Sequence, residues 1–286
     1  MKKILLSITL VLILCTQALA ESSVWKVQKD ASVFFLGGTF HLLRPSDFPL
    51  PPEFEKAYQA SDLLVFETDL GHLNDASAQE KLLSKAMYAD GSTIDKHLSP
   101  KTYRLLNEFC TAKGIPLENL KHFKPSIIAV TLLSVELAKL GVAQQGVDTF
   151  FYQLAIQDNK ATEGLETIDE QIQFVVGMGE GNEDAFITHS LRDLESIKQN
   201  YETMVEAWKK GDIKKLDELF VAGIKTKLPK LYKELLADRN AQWLPRIEAY
   251  RETPRKEFIL VGVGHLAGPD GIIEALRRKG YTVEKL

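Results

Sequence analysis

An α/β fold whose central sheet is built from both ends of the chain is what this sequence predicts, and three observations predict it. Apolar runs of β type cluster near the two termini, while apolar residues between them recur at helical spacing. One short device stands at both ends, FFLGGTFHLL and FILVGVGHLAG, each a strand that breaks on glycine and closes with a histidine three residues after a Gly. The expected sheet is mixed or parallel, with a long helical insertion at about residues 77–250.

The chain opens with MKKILLSITLVLILCTQALA, two lysines before an apolar run and small residues at Ala18 and Ala20, which is the layout of a secretory signal peptide over residues 1–20. The run from Ile4 to Leu14 is too short for a bilayer span, which takes about 20 residues. Lipid attachment at Cys15 and an uncleaved anchor are the weaker alternatives, since Leu12-Ile13-Leu14 lacks the small residues expected before a lipidated cysteine. Residues 21–286 are then expected as a single exported α/β domain, secreted or periplasmic, with no integral membrane segment in the mature chain. Cys110 is its one cysteine, so no intramolecular disulfide can form and stability must come from a core.

In order, Ser23–Val27 and Ser32–Leu36 read as a hairpin around QKDA, and a helix opens at Pro52 with Glu53 and Glu55 in its first turn. Leu63–Phe66 is a strand too brief for a helix, completing a βαβ pattern. Helical periodicity then runs from Ser77 to about Tyr250. Ser99-Pro100 is a helix start, and Gly114, Gly141 and Gly211 stand where left-handed caps are wanted. Ile172–Val176 fits strand or helix. Glu257–Val261, a helix from Pro269 to Lys279 and Tyr281–Val283 form a second βαβ pattern.

The net charge of -4 is dispersed, and nothing resembles the clustered cations and aromatics of a nucleic-acid groove. KKGDIKK reads as a solvated helix end. HExxH, GxSxG, GxxxxGK[ST] and CxxC are all absent, which removes the zincin, α/β-hydrolase, P-loop and thioredoxin readings.

What remains is the paired motif. Ligands gather at the carboxyl ends of parallel strands, and His41, Glu67 and His265 all stand at such ends. Two neutral imidazoles and a carboxylate suffice for zinc, manganese, cobalt or a similar divalent ion with a position open for water. Gly38 and Gly262 are expected to let the backbone turn sharply so that each imidazole swings over its strand end. Each residue also has a bland reading: a hydrogen-bonded structural histidine, or a rim carboxylate. His72 follows Glu67 in an exposed turn, and His97, His122 and His189 sit in polar stretches where solvent is their expected partner. A weaker alternative is dinucleotide binding through GVGHLAG with Glu284 as the ribose acid, but the chain stops two residues later and the expected helix starts after the glycines end.

The ordered set GTFH, LVFETD, KPSIIAV, GVDTFF, GLETIDEQ, DRNAQW and VGVGHLAGPDGIIEALRRKGYTV covers nearly the whole mature chain and resembles the TraB/GumN family, related to the Tiki proteases. The resemblance implies a metal-dependent protease acting on peptide or protein substrates, with a metal site made from His41, His265 and Glu67. It also draws in Glu166, Arg239 and Asn240. Chemically, Glu67 serves as ligand or general base, Glu166 as a second base or a helix cap, Arg239 as oxyanion stabiliser or surface ion pair, and Asn240 as substrate orienter or plain polar helix residue. The family also covers proteins described as limiting peptide signals, so a non-catalytic peptide-sequestering protein is the alternative. Ser126 stands after KP where the family often has an aromatic, a departure that bears on pocket shape.

Overall fold

Six strands form one mixed sheet, in the order β4-β3-β5-β2-β1-β6, in the computed structural model, which describes residues 22–286 apart from 74, 143 and 144. The signal-peptide expectation for residues 1–20 lies outside the described residues. β1 (Val24–Lys29) and β2 (Ser32–Thr39) make the hairpin, with Asp30 at φ 54 in the turn. β3 (Leu63–Thr68), β4 (Ala161–Glu166) and β5 (Glu257–Gly262) run parallel to β2, and β6 (Thr282–Lys285) pairs antiparallel with β1. Both chain ends thus build the sheet, as the apolar runs predict.

Two details differ from the expectation. Neither βαβ unit joins neighbouring strands, because β5 lies between β2 and β3 and β6 lies at the edge beyond β1. All six residues of β5 are buried, so it takes a place covered on both faces, where parallel strands belong. The helical insertion is also interrupted by β4, whose sequence ATEGLE carries no apolar alternation. It is an edge strand with its first four residues exposed or half-buried, and pairing with β3 rather than propensity makes it a strand.

Helices cover both faces. On one, Phe54, Ala57 and Tyr58 of α1 (Pro52–Gln59), Phe151 and Ala155 of α6 (Val147–Gln157), and Tyr201, Val205 and Trp208 of α8 (Glu183–Lys210) pack on Phe35, Leu64, Phe66, Phe258 and Leu260. On the other, Trp243 and Ile247 of α12 (Asp238–Ala249) and Ile272, Ile273 and Leu276 of α13 (Ile272–Arg278) meet Leu36, Val65, Ile259 and Val261. The rest of the insertion has its own apolar cluster, with Leu106 and Phe109 of α4 (Pro100–Ala112) and Ile128 and Leu132 of α5 (Pro125–Lys139). Helix α8, about 42 Å long at 1.5 Å per residue, serves both. Phe186, Ile187, Leu191 and Leu194 face the insertion, and Tyr201, Val205 and Trp208 face the sheet.

The helix ends follow their caps. Ser99 accepts from the Thr102 N–H ahead of Pro100, and Gly211 closes α8 in the left-handed region at φ 57, leaving Lys210 and Asp212 in solvent. The ambiguous run Ile172–Val176 lies in helix α7 (Ile168–Gly177). Ser126 is buried and donates to the Val176 carbonyl at 2.9 Å, so it ties α5 to α7 where an aromatic ring would not fit the same contact. Two π-helical turns, Asp217–Val221 and Lys233–Ala237, break the segment before α12, and the second stands directly ahead of Arg239.

Candidate functional site

Strands β2, β5 and β3 are consecutive and parallel, with Thr39 opposite Gly262 and Phe66 opposite Leu260, so their carboxyl ends form one rim. Glu67 is the penultimate residue of β3, His265 ends the 3-10 turn Val263–His265 that follows β5, and His41 sits in the bend after β2. The structure brings these three together, and Glu166, Arg239 and Asn240 join them.

The motif glycines work differently from the expected sharp turn. Gly262 has φ -49 and neither it nor Gly38 is among the positive-φ glycines. Their use is close approach. A Cβ at Gly38 would stand 2.8 Å from Val263 Cγ2 and 3.2 Å from Leu266 Cδ1, and a Cβ at Gly262 would stand 3.1 Å from both His41 Nε2 and Glu67 Oε1. Each glycine therefore makes room for groups that the other motif, or β3, brings to the rim.

Glu67 is buried, and both its oxygens are held: Oε1 accepts from the Gly262 N–H at 2.7 Å and Oε2 from Arg239 Nη2 at 2.7 Å. Burial opposes its charge, but His265, Arg239, His41 and the Gly262 N–H more than offset that and hold its carboxyl down at about 2. Arg239 is also buried. Nη2 and Nε donate to Glu166 Oε1 and Oε2 at 2.7 and 3.1 Å, and Nη1 donates to His265 Nε2 at 3.1 Å and to the Leu235 carbonyl at 3.4 Å. The rings of Phe174 and Trp243 lie 4.7 and 4.5 Å from its guanidinium carbon. Every N–H of this side chain is engaged, which excludes the surface ion pair.

Glu166 ends β4. Its carboxyl also accepts from Trp243 Nε1 at 3.1 Å, and burial pushes it up despite Arg239. It is not a helix cap: Thr167 caps α7, reciprocally with Glu170.

His265 is 4% exposed, and its tautomer follows from its partners. Nε2 accepts from Arg239, so Nδ1 carries the proton and donates to Asn240 Oδ1 at 2.7 Å. Asn240 Nδ2 in turn donates to the carbonyls of His265 and Asp270 at 3.2 and 2.9 Å, which fixes the loop as well as the ring. Burial pushes this imidazole down to about 3, so it is neutral at physiological pH. Its Nε2 lies 3.8 Å from Glu67 Oε1.

His41 is held by a residue that the sequence reading passed over. Its Nδ1 donates to Asp148 Oδ2 at 2.8 Å, while 60% of its side chain is exposed. The Asp148 charge and hydrogen bond lift the imidazole to about 9. Asp148 stands in GVDTFF, one of the quoted motifs, and its position in the first turn of α6 was the available signal. Of the other histidines, His72 and His122 are exposed. His97 and His189 are half-buried rather than solvated, His97 stacked 3.7 Å from the Tyr88 ring and His189 paired with Asp193 at 3.0 Å.

Among the described residues no three His, Cys, Asp or Glu side chains stand close enough together to hold a metal ion. The donor chemistry nonetheless fits a divalent cation. Both imidazoles have Nδ1 satisfied from behind; His41 Nε2 faces the Gly262 cradle it shares with Glu67 Oε1, and His265 Nε2, which here accepts from Arg239, lies 3.8 Å from the same oxygen, so a cation would take the place of that Arg239 N–H. Arg239 is the cation that neutralises Glu67 here. The glycines of GVGHLAG do not open a helix, since α13 begins only at Ile272, and this removes the geometry that a pyrophosphate needs.

Among curated proteins the chain is similar to Metalloprotease TIKI1 of Homo sapiens, at 24% identity over 94% of this chain and 62% of that protein. It is similar also to Metalloprotease TIKI1 of Danio rerio, at 24% over 92% and 63%, and to Metalloprotease TIKI homolog of Nematostella vectensis, at 23% over 92% and 67%. It spans less than two thirds of the length of either TIKI1 protein. No solved structure matches it. The model of the TraB/PrgY/gumN family matches residues 23–285, which include every residue of the rim just described, and the chain belongs to that family.

Proposed function

We propose that this chain is an exported metal-dependent hydrolase that cleaves peptide or protein substrates, with His41, His265 and Glu67 holding a divalent cation, zinc, manganese or cobalt. The observation that carries this reading is the shared arrangement of the two imidazoles, each gripped at Nδ1 and each presenting Nε2 toward Glu67. The metalloprotease names of the TIKI relatives support the reaction class.

Such an ion, when bound, lowers the pKa of its water toward neutrality and polarises a scissile carbonyl. Glu67 is assigned as a ligand by position, since its Oε1 shares the Gly262 cradle with His41 Nε2 and lies 3.8 Å from His265 Nε2. Glu166, pushed upward by burial, is the better proton acceptor. Arg239 anchors both carboxylates and His265 in the cation-free site; a cation on His265 Nε2 would take the lone pair that now accepts from Arg239 Nη1, and would free that N–H for an oxyanion. Asn240 orients His265 rather than substrate. Substrate enters past His41, the one exposed member of the set. Export rests on the signal-like residues 1–20. Among the described residues no helix is long and apolar enough to cross a membrane.

The test is elemental analysis of the purified protein beside a His41→Ala, His265→Ala variant, with hydrolysis of a fluorogenic peptide library measured on both. Bound metal and chelator-sensitive cleavage in the parent, both lost in the variant, are expected; equal metal content in the two overturns the reading. A peptide-sequestering protein is the second reading, favoured by the way Arg239 already neutralises Glu67, and saturable peptide binding without turnover would select it.

A further inference from the structure

We infer that Asp148 is a positioning residue for His41, and that the start of α6 is the seat that aims this imidazole at Glu67. The consequence for metal affinity rests on the metal-dependent reading above; the geometry does not. His41 belongs to no regular element, and a histidine exposed on a bend would otherwise exchange among rotamers. Among the described residues its one side-chain hydrogen bond is to Asp148, which is itself 9% exposed and held in the first turn of an 11-residue helix.

The two backbones are docked on either side of that bond. The Val147 N–H donates to the Phe40 carbonyl at 3.1 Å, and the Leu43 N–H donates to the Gln145 carbonyl at 3.4 Å. Between them Gly146 lies so close to the His41 carbonyl that any Cβ there would collide with it. Segments 40–43 and 145–148 therefore form one clamp, and the amino end of α6 favours the carboxylate that closes it. Asn240 performs the corresponding task for His265 with a neutral amide. Both rings are oriented from behind, one by a charge and one by a dipole. Removing such a partner behind an imidazole ligand typically weakens metal binding 10- to 100-fold, that is, by about one to two powers of ten.

The experiment compares Asp148→Ala and Asp148→Asn with the parent full-length mature chain. Zinc affinity, read by competition with a chromophoric chelator, should fall about 10- to 100-fold in Asp148→Ala and less in Asp148→Asn, which keeps an acceptor oxygen. The thermal midpoint of the metal-free protein should stay near that of the parent. A purely structural Asp148 would show the opposite split, a lowered midpoint with unchanged affinity, and that result overturns the inference. Crystals of the metal-free proteins supply the independent arm. The His41 ring should hold a single orientation in the parent and lose it in Asp148→Ala; a parent-like ring in the variant also overturns the inference. If the parent binds no zinc, the hydrolase reading fails while the ring comparison still decides the role of Asp148. Should Asp148→Ala fail to fold, Asp148→Asn and Gly146→Ala carry both readouts, the latter displacing the bend and the ring with it.

Discussion

His41 and His265 arrive at Glu67 from neighbouring strands with the same Gly-x-x-His spacing, yet 60% of the His41 side chain is exposed and 5% of the His265 side chain is. The partner of His41 is a carboxylate on the opposite segment of a surface clamp; the partner of His265 is an amide within a buried network that also holds Arg239, Glu166 and Trp243. The imidazoles accordingly shift in opposite directions, His41 upward to about 9 by the Asp148 charge and His265 downward to about 3 by burial. The difference teaches that a repeated motif fixes where a side chain starts, while the segment packed behind it sets its charge and mobility. The buried half is preorganised, and the open half is the one that solvent reaches.

The comparison breaks most readily at Arg239. Arg239→Ala leaves Glu67 and Glu166 buried without their cation and should cost about 3–5 kcal/mol, whereas His41→Ala on the open side should cost less than about 1 kcal/mol. Urea unfolding of the metal-free proteins measures both, and similar costs for the two would remove the distinction between the halves.

The glycines sharpen it next. Gly38→Ala drives a Cβ against Val263 inside the core and should destabilise by about 1–3 kcal/mol. Gly262→Ala meets only the far ends of Glu67 and His41, so it should cost less stability but displace the cradle and lower metal content more. Thermal midpoints and elemental analysis of the two variants check the crossing pattern.

The smallest effect is on pH dependence in the metal-free protein. A histidine depressed from 6.5 to about 3 binds fewer protons folded than unfolded, so its contribution is complete above about 6.5 and is lost as pH falls toward 3, with a slope of at most about 1.4 kcal/mol per pH unit. His41, raised from 6.5 to about 9, contributes fully below 6.5 and loses that contribution as pH rises through 9, more weakly because solvent screens an exposed pair. Unfolding measured across pH should therefore show the steeper limb on the acid side. His265→Gln should flatten that limb, and His41→Ala should act mainly on the alkaline one, with a smaller effect on the acid limb through Glu67 and His265.

Much of this was legible in the sequence. Glycine- and proline-marked helix ends, the two-ended sheet and the convergence of His41, Glu67 and His265 follow from local patterns. What was hidden is what depends on pairing across the chain. ATEGLE becomes β4 only because β3 offers an edge, and β5 enters between β2 and β3 because its residues are apolar on both faces. Gly38 and Gly262 announce themselves as glycines, but their reason, room for the opposite motif, is visible only once the motifs face each other. Asp148 was missed for the same cause: it lies 107 residues from the histidine it orients.

The central claim, that two distant motifs and Glu67 share one cation, is tested most directly by anomalous diffraction from crystals of the protein grown with zinc. One peak is predicted, about 2.0–2.2 Å from Nε2 of His41, Nε2 of His265 and an oxygen of Glu67. Zinc found only at surface carboxylates, with Arg239 still closed on Glu67, would contradict it.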